Sequence, residues 1–303
     1  MNLRHIFILP ALLAAMACSD DSPVTPDTPD TPEGPDITNS VEKLVSIDAG
    51  QTFQTIAGFG ASDCWSPAFV GKSWTSHRAG ITELLFSSEI VGGKPKGIGL
   101  SQWRVNLGGG SAAQGEACGI EDKSRRAESY LTDDLTYDWT RCEGQRYFMD
   151  RAKELGCNNF VLFSNTPPVQ YTYNGKGFSA RGGLSNLKPE HYGDFAGYMA
   201  DVAARYTGEG YHISHISPVN EPQYNWDSGQ EGSGWTNDEV AALARELDMS
   251  LDARGLSTDI LLGESGDWEY LYKVKGDANR SNIFSAFFTP GSSAYVGDLA
   301  HVK

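Results

Sequence analysis

The chain has 303 residues, 40% of them apolar, and a formal net charge of −15. That is enough for one large domain or two ordinary ones with a sizeable core. The acidic balance excludes a basic phosphate-binding face, and with it nucleic acid as a partner.

The N-terminus reads as a targeting segment. Arg4 and His5 precede an apolar run, Ile6 to Met16, with the length of a signal-peptide core and too short to span a membrane. The run ends at Ala15-Met16-Ala17-Cys18. Small residues before a cysteine resemble a bacterial lipoprotein cleavage site, although Met16 is bulky where a small residue is commoner. Residues 1–17 are thus expected to be a lipoprotein signal peptide, and Cys18 the lipidated first residue of the mature chain. The alternative is an ordinary secretory signal in which Cys18 is incidental. Ser19-Asp20-Asp21 resembles a surface-export signal of lipoproteins. The expected location is therefore the outer membrane, exposed at the cell surface, with a periplasmic or secreted protein as the other reading. Ser22 to Asp36, SPVTPDTPDTPEGPD, carries repeated prolines and no large apolar group beyond Val24. It reads as an extended, polyproline-like tether within 18–40.

Residues 41–52 read as a strand and a turn, with Asp48-Ala49-Gly50 as the turn. Short apolar strands then alternate with amphipathic helices. The clearest strands are Gln102 to Leu107, Asn159 to Phe163, Ile213 to Val219 and Asp259 to Gly263. A first strand is expected near Ala57 to Ala61, and another begins at Leu299 to Val302. One helix ends at Gly156. A second opens at Pro189 and places Tyr192, Phe195, Met199, Val202 and Tyr206 on one face. A third starts with a capping box, Thr236 to Glu239, continues through Val240, Leu243, Ala244, Leu247 and Leu251, and ends at Gly255.

Alternating strands and helices imply a parallel sheet, and both an open doubly wound sheet and a closed barrel fit. No Gly-x-Gly-x-x-Gly opens a helix, which weakens a nucleotide-binding reading. Polar residues gather just after the strand ends: Asp63, Asn106, Asn165, Asn220, Glu221 and Glu264. A barrel builds its site from those loops. The expected class is therefore α/β, and the barrel reading, a (β/α)8 TIM barrel over 53–303, would have about the first five to six β/α units present. None of Cys64, Cys118, Cys142 and Cys157 has zinc-site spacing. Cys118 and Cys142 flank one probable insertion and could pair in an oxidising compartment. Glu231, Glu239 and Glu246 read as solvated loop or helix residues.

Glu221 sits in ISPVNEPQYNW, Ile216 to Trp226, between an apolar strand and Pro222. A carboxyl lodged there among Tyr224 and Trp226 would bind its proton more tightly and could serve as a general acid. The plainer reading is a loop glutamate capping the next element. The same chain carries FQTIAGFGASDCWS from Phe53, WRVNLGGGS from Trp103, FSNTPP from Phe163 and LLGESGDW from Leu261. Together with Asn220-Glu221-Pro222 these resemble glycoside hydrolase family 30 of clan A, most closely its endo-β-1,6-galactanase-like branch, from about Val45 to Lys303.

The resemblance implies roles. Glu221 matches the acid/base of a retaining glycosidase, and Asn220 the residue beside it that holds a sugar 2-hydroxyl. Arg104 matches the arginine that pairs with the nucleophile carboxylate. Asp63 matches a residue that binds sugar hydroxyls. Trp65, Asn165, Tyr224, Trp226, Glu264 and Trp268 are candidate site-lining residues. Each has a plainer reading: a structural ion pair for Arg104, a turn residue for Asp63, core for any one tryptophan. Ser164-Asn165-Thr166-Pro167 stands where glucosylceramidase-like members have a tryptophan-containing motif, which points away from glucosylceramide and towards galactan.

The resemblance places the nucleophile after a seventh strand, whereas this chain reaches a sixth. The 303 residues are therefore expected to be inactive by themselves. Val45 to Ile47 is expected to belong to an incomplete side β-sandwich. No metal or organic cofactor is implied. The expected partners are a β-linked polysaccharide, leading with β-1,6-galactan, and the outer membrane through the lipid anchor. The rival reading is a surface carbohydrate-binding lipoprotein without turnover, which would keep Asp63 and the aromatics but need no carboxylate pair.

Overall fold

The structure, a computed structural model, describes Ser46 and residues 48–302. The signal peptide, Cys18, the tether and most of the strand expected at Val45 to Ile47 lie outside the described residues. The chain divides into Met1–Thr55 and Ile56–Lys303. In the first unit the predicted turn is present: Asp48 Oδ1 accepts from Gly50 N at 2.9 Å. Among the described residues no helix is long and apolar enough to cross a membrane.

Ile56–Lys303 is built on a five-stranded parallel sheet. Its strands are β1 (Gly60–Ser62), β2 (Gln102–Asn106), β3 (Asn159–Phe163), β4 (Ile213–Ser217) and β5 (Asp259–Ile260). Their spatial order follows the chain without reversal. A doubly wound sheet reverses order at a switch point, so the two topologies left open by the sequence separate here in favour of the singly wound, barrel-like one. The segment expected to begin a sixth strand meets β5 as a parallel bridge between Ile260 and Val302. Asn159 to Phe163 forms as predicted, while the other three clear strands are predicted one to three residues too long, for local reasons. Pro218 has no N–H to extend β4. After β5, Gly263 turns the chain with φ +92°.

Helices follow the strands: α1 (Ser66–Ser73) and α2 (Arg78–Phe86) after β1, α3 (Glu143–Glu154) after β2, α4 (Tyr192–Gly208) after β3 and α5 (Asn237–Asp252) after β4. Short helices α6 (Glu269–Tyr272) and α7 (Ile283–Phe288) follow β5. The capping box at α5 is formed as predicted. Thr236 Oγ1 accepts from Glu239 N at 3.2 Å, and Glu239 Oε2 accepts from Thr236 N at 2.8 Å. Val240, Leu243, Leu247 and Leu251 are each at most 2% exposed, and burying each contributes roughly 1.5–3 kcal/mol. Helices α1 and α3 meet backbone to backbone: a Cβ at Gly71 would lie 2.2 Å from the Gly144 carbonyl oxygen.

Two features went unread in the sequence. An antiparallel hairpin pairs Ile90–Val91 with Lys94–Pro95 across Gly92-Gly93, whose φ values are +57° and +79°. The connection from β2 to α3 folds as 3-10 turns at Ser111–Cys118 and Lys123–Arg125. Cys118, within it, and Cys142, at its end, are buried free thiols, so the pairing left open between them is absent. Each is packed separately into the interior, at 0% and 5% exposure.

Candidate active site

Asn220 and Glu264, two of the polar residues expected at the strand ends, meet at one guanidinium, and Asn165 joins them through Asn220. Arg104, on β2, donates from Nη2 to Glu264 Oε2 at 2.7 Å and to Asn220 Oδ1 at 2.8 Å. Nη1 reaches Ser62 Oγ on β1 at 3.3 Å. Its flat face lies 3.2 Å from the Phe163 ring centroid, a cation–π contact at the end of β3. Ser217, the last residue of β4, donates its hydroxyl to the same Glu264 oxygen. Asn220 Nδ2 donates to Asn165 Oδ1 at 2.8 Å, and Asn165 Nδ2 to Cys64 Sγ at 3.3 Å. One polar chain thus links residues at or just after all five strands. Its members Ser62 and Cys64 flank Asp63 in FQTIAGFGASDCWS without having been given a role, and Ser217 was not singled out.

Glu221 leaves this chain and faces outwards. Its φ is +44°, a left-handed conformation that costs a non-glycine residue about 1–2 kcal/mol. The backbone around it supplies the compensation. Glu221 N donates to Glu264 O at 2.8 Å, and Glu221 O accepts from Tyr224 N at 3.0 Å and from Trp226 Nε1 at 3.1 Å. Neither carboxylate oxygen has a hydrogen-bond partner among the described residues, and the side chain is half-buried. It walls two neighbouring cavities. One, about 280 Å³, is lined also by Arg125, Tyr224, Trp226, Ser228 and Gln230. The other, about 260 Å³, is lined also by Gln223, Tyr224, Gly266, Asp267 and Tyr270.

The aromatics divide by exposure. Tyr224 is 63% and Trp268 79% exposed, so both present open faces. Trp226 is 4% exposed, with Tyr224 edge-on at 5.0 Å and its ring laid against Gly232. It is a wall and a brace for Glu221, not an open platform. Trp65 is half-buried beside Asp63 and Cys64.

Asp63 departs from its expected role. It is 1% exposed. Its oxygens accept from Asn106 N at 2.9 Å and Gln145 Nε2 at 2.7 Å. That closes it off from the cleft and makes it a tie between β1, β2 and α3. Burial raises its pKa from 3.8 to about 6, against the opposing pull of the Gln145 and Asn106 bonds and the Arg104 charge. The folded state therefore binds this proton more tightly than the unfolded state does. Stability contributed here is present below pH 4 and is lost as pH rises through about 6. Relative to Asp63→Asn, the wild type should lose about 3 kcal/mol between pH 4 and 7 in urea unfolding. Parallel stability–pH curves for the two proteins would overturn this.

A family model describing O-glycosyl hydrolase family 30 matches residues 42–303. The chain belongs to that family. Over 245 residues it is 25% identical to an endo-β-1,6-galactanase of Hypocrea rufa, covering 74% of this chain and 50% of that protein. The crystal structure of a conserved exported protein from Bacteroides fragilis is similar at a TM-score of 0.79 and 34% identity, over 84% of this chain and 53% of that one. The catalytic domain of family 30 xylanase C from Talaromyces cellulolyticus shares the fold at a TM-score of 0.52 and 21% identity, over 72% and 48% of the two chains. This family 30 chain spans about half the length of these relatives.

Glu231 corrects the sequence reading most. Expected on a solvated loop, it is 0% exposed. The loop after β4 folds back on the loop after β3, with Gly232 N donating to Gly177 O at 2.8 Å. That drives the carboxylate under the glycine run after β2. There Oε2 accepts from Gly109 N at 2.8 Å and Oε1 from Ser111 N at 3.0 Å. Burial raises its pKa, and the Ser111 and Gly109 bonds oppose the rise. Glu239 is likewise not free: besides the cap, it accepts from Ser185 N at 3.3 Å. Glu246 is half-buried. Among the described residues there is no cluster of three or more His, Cys, Asp or Glu side chains fit to hold a metal ion.

Proposed function

We propose that the whole protein is a retaining glycoside hydrolase that cleaves β-1,6-linked galactan, with Glu221 as its acid/base. The observation that carries this is the position of Glu221: its carboxylate has no hydrogen-bond partner among the described residues, its backbone is braced, and it lines two cavities together with the exposed Tyr224. Such a carboxyl can protonate a glycosidic oxygen and then activate water. Retaining chemistry needs a second carboxylate about 5–5.5 Å from the first. The resemblance assigns that role to a residue after a seventh strand, and Glu264 is read as the support of Arg104. Family membership supports action on a β-linked polysaccharide. The galactanase similarity supports the linkage.

The deciding experiment incubates the whole protein with β-1,6-galactan and follows the products by NMR. Galacto-oligosaccharides released first as the β-anomer are expected. An inert galactan, or first release of the α-anomer, would sink the proposal. Lipidation at Cys18 and display on the outer membrane are part of the same reading. Metabolic labelling with a clickable fatty acid should mark the protein and be lost in Cys18→Ser.

A further inference from the structure

We propose that Arg280 is a positioning residue for Glu221, acting through the backbone that follows it; this rests on the acid/base reading of Glu221. Arg280 lies in the segment after β5, 59 positions from Glu221 in sequence (280 − 221). Its Nη2 donates to the carbonyls of three consecutive residues, Pro222 at 3.3 Å, Gln223 at 2.5 Å and Tyr224 at 3.4 Å. Its Nη1 reaches Asn225 Oδ1 at 3.4 Å. A guanidinium suits this work. It is planar, always charged and rich in donors, so it can gather carbonyl oxygens that would otherwise repel one another.

The clamp is itself fixed on both sides. A Cβ at Gly183 would lie 2.0 Å from Arg280 Nη1, so the guanidinium rests against bare backbone from the loop after β3. Gly234, from the loop after β4, packs on Gly183 just as closely, with an added Cβ 2.6 Å from the Gly183 backbone. Behind Arg280, Asn237 at the start of α5 donates from Nδ2 to Ser281 O at 2.9 Å and to Ala278 O at 3.4 Å. The segment 222–225 is therefore pinned to α5 through Arg280. That segment carries Glu221 O's donor, Tyr224 N, and lies between Glu221 and its second donor, Trp226. Without the clamp, the left-handed conformation at Glu221 loses the neighbours that define it, and its carboxyl can swing between the two cavities.

The test compares wild type with Arg280→Ala and Arg280→Lys. Hydrogen exchange is followed at the amides of Glu221, Tyr224 and Trp235, which donate to Glu264 O, Glu221 O and Pro222 O. At least a tenfold acceleration at these amides is expected in Arg280→Ala, with α4 and the β3 strand unchanged. In the whole protein, kcat on β-1,6-galacto-oligosaccharides per folded molecule should fall about 10- to 100-fold, the scale of a small misplacement of a reacting group. KM should stay within twofold, and Arg280→Lys should recover part of the loss. A staple with no bearing on Glu221 would leave turnover per folded molecule unchanged. That result, or unchanged exchange at the three amides, overturns the proposal. If Arg280→Ala does not fold, Arg280→Lys carries the same readouts. A wild type that does not turn over galactan refutes the galactan reading, and exchange alone then decides whether the clamp exists.

Discussion

Glu221→Gln should lower kcat on β-1,6-galactan by about 10²–10⁴-fold, the range that general acid–base groups contribute. Glutamine has nearly the same shape, and the wild-type carboxylate makes no hydrogen bond among the described residues that the change would break. The backbone brace, Glu264 O to Glu221 N and Trp226 Nε1 to Glu221 O, is untouched by it. Folding stability and oligosaccharide binding should therefore persist while turnover collapses. Leaving groups separate the two halves of the role. An aryl galactoside with a good leaving group departs without protonation, so its first step should survive and release a burst of phenol. Turnover within threefold of wild type on galactan would remove Glu221 from the chemistry.

Glu231→Ala should destabilise the protein by about 3–5 kcal/mol, read as a drop in the urea midpoint with an unchanged slope. The change strands two buried N–H donors, Gly109 and Ser111. Each costs about 1–3 kcal/mol when left unpaired, and the empty volume adds to the loss. Glu231→Gln separates charge from shape. It still offers one acceptor but turns its amide towards the other donor, so a smaller loss of about 1–3 kcal/mol is expected. A neutral effect of Glu231→Ala would mean that water satisfies both donors and that the carboxylate is not the support of the glycine run.

Much of the fold was legible because its determinants are local. The strands are short runs rich in β-branched and aromatic residues, such as Phe160, Val161 and Phe163, and polar groups begin where those runs stop. The start of α5 followed from Thr236 and Glu239, three residues apart, while its end at Asp252 falls short of the expected Gly255. Arg104, Asn220, Asn165 and Glu264 were all singled out, and the structure brings them together. What escaped notice depends on long-range folding. Glu231 meets Gly109 across 122 positions, and no local pattern distinguishes it from a solvated glutamate. Gly232 and Gly234 beside it are packed closely, but glycines alone do not say which carboxylate is buried. Asp63 looked like a cleft residue because it ends a strand. Only the position of Gln145 on α3 shows that the side chain turns inwards. The hairpin was a missed local signal, since Gly92-Gly93 between Val91 and Lys94 is a favoured two-residue turn.

The contact between Arg104 and Glu264 also measures the sheet. Their strands, β2 and β5, are three intervals apart, about 14 Å in a flat sheet. Side chains stand roughly perpendicular to a sheet, so two of them on a flat surface would run parallel and stay apart. Glu264 stands four residues past the end of β5, and a sheet that curves brings its loop over Arg104 to the 2.7 Å contact. The bend has a cause outside the cleft. Packed helices need about 8–10 Å each and strands only about 4.8 Å. Helices packed side by side along one face of a sheet therefore favour a concave opposite face. The tight seam between Gly71 and Gly144 sets part of that spacing. The aperture in which a guanidinium can grasp a carboxylate is thus dimensioned by helices that never touch it, and the outer layer acts as the caliper of the inner one.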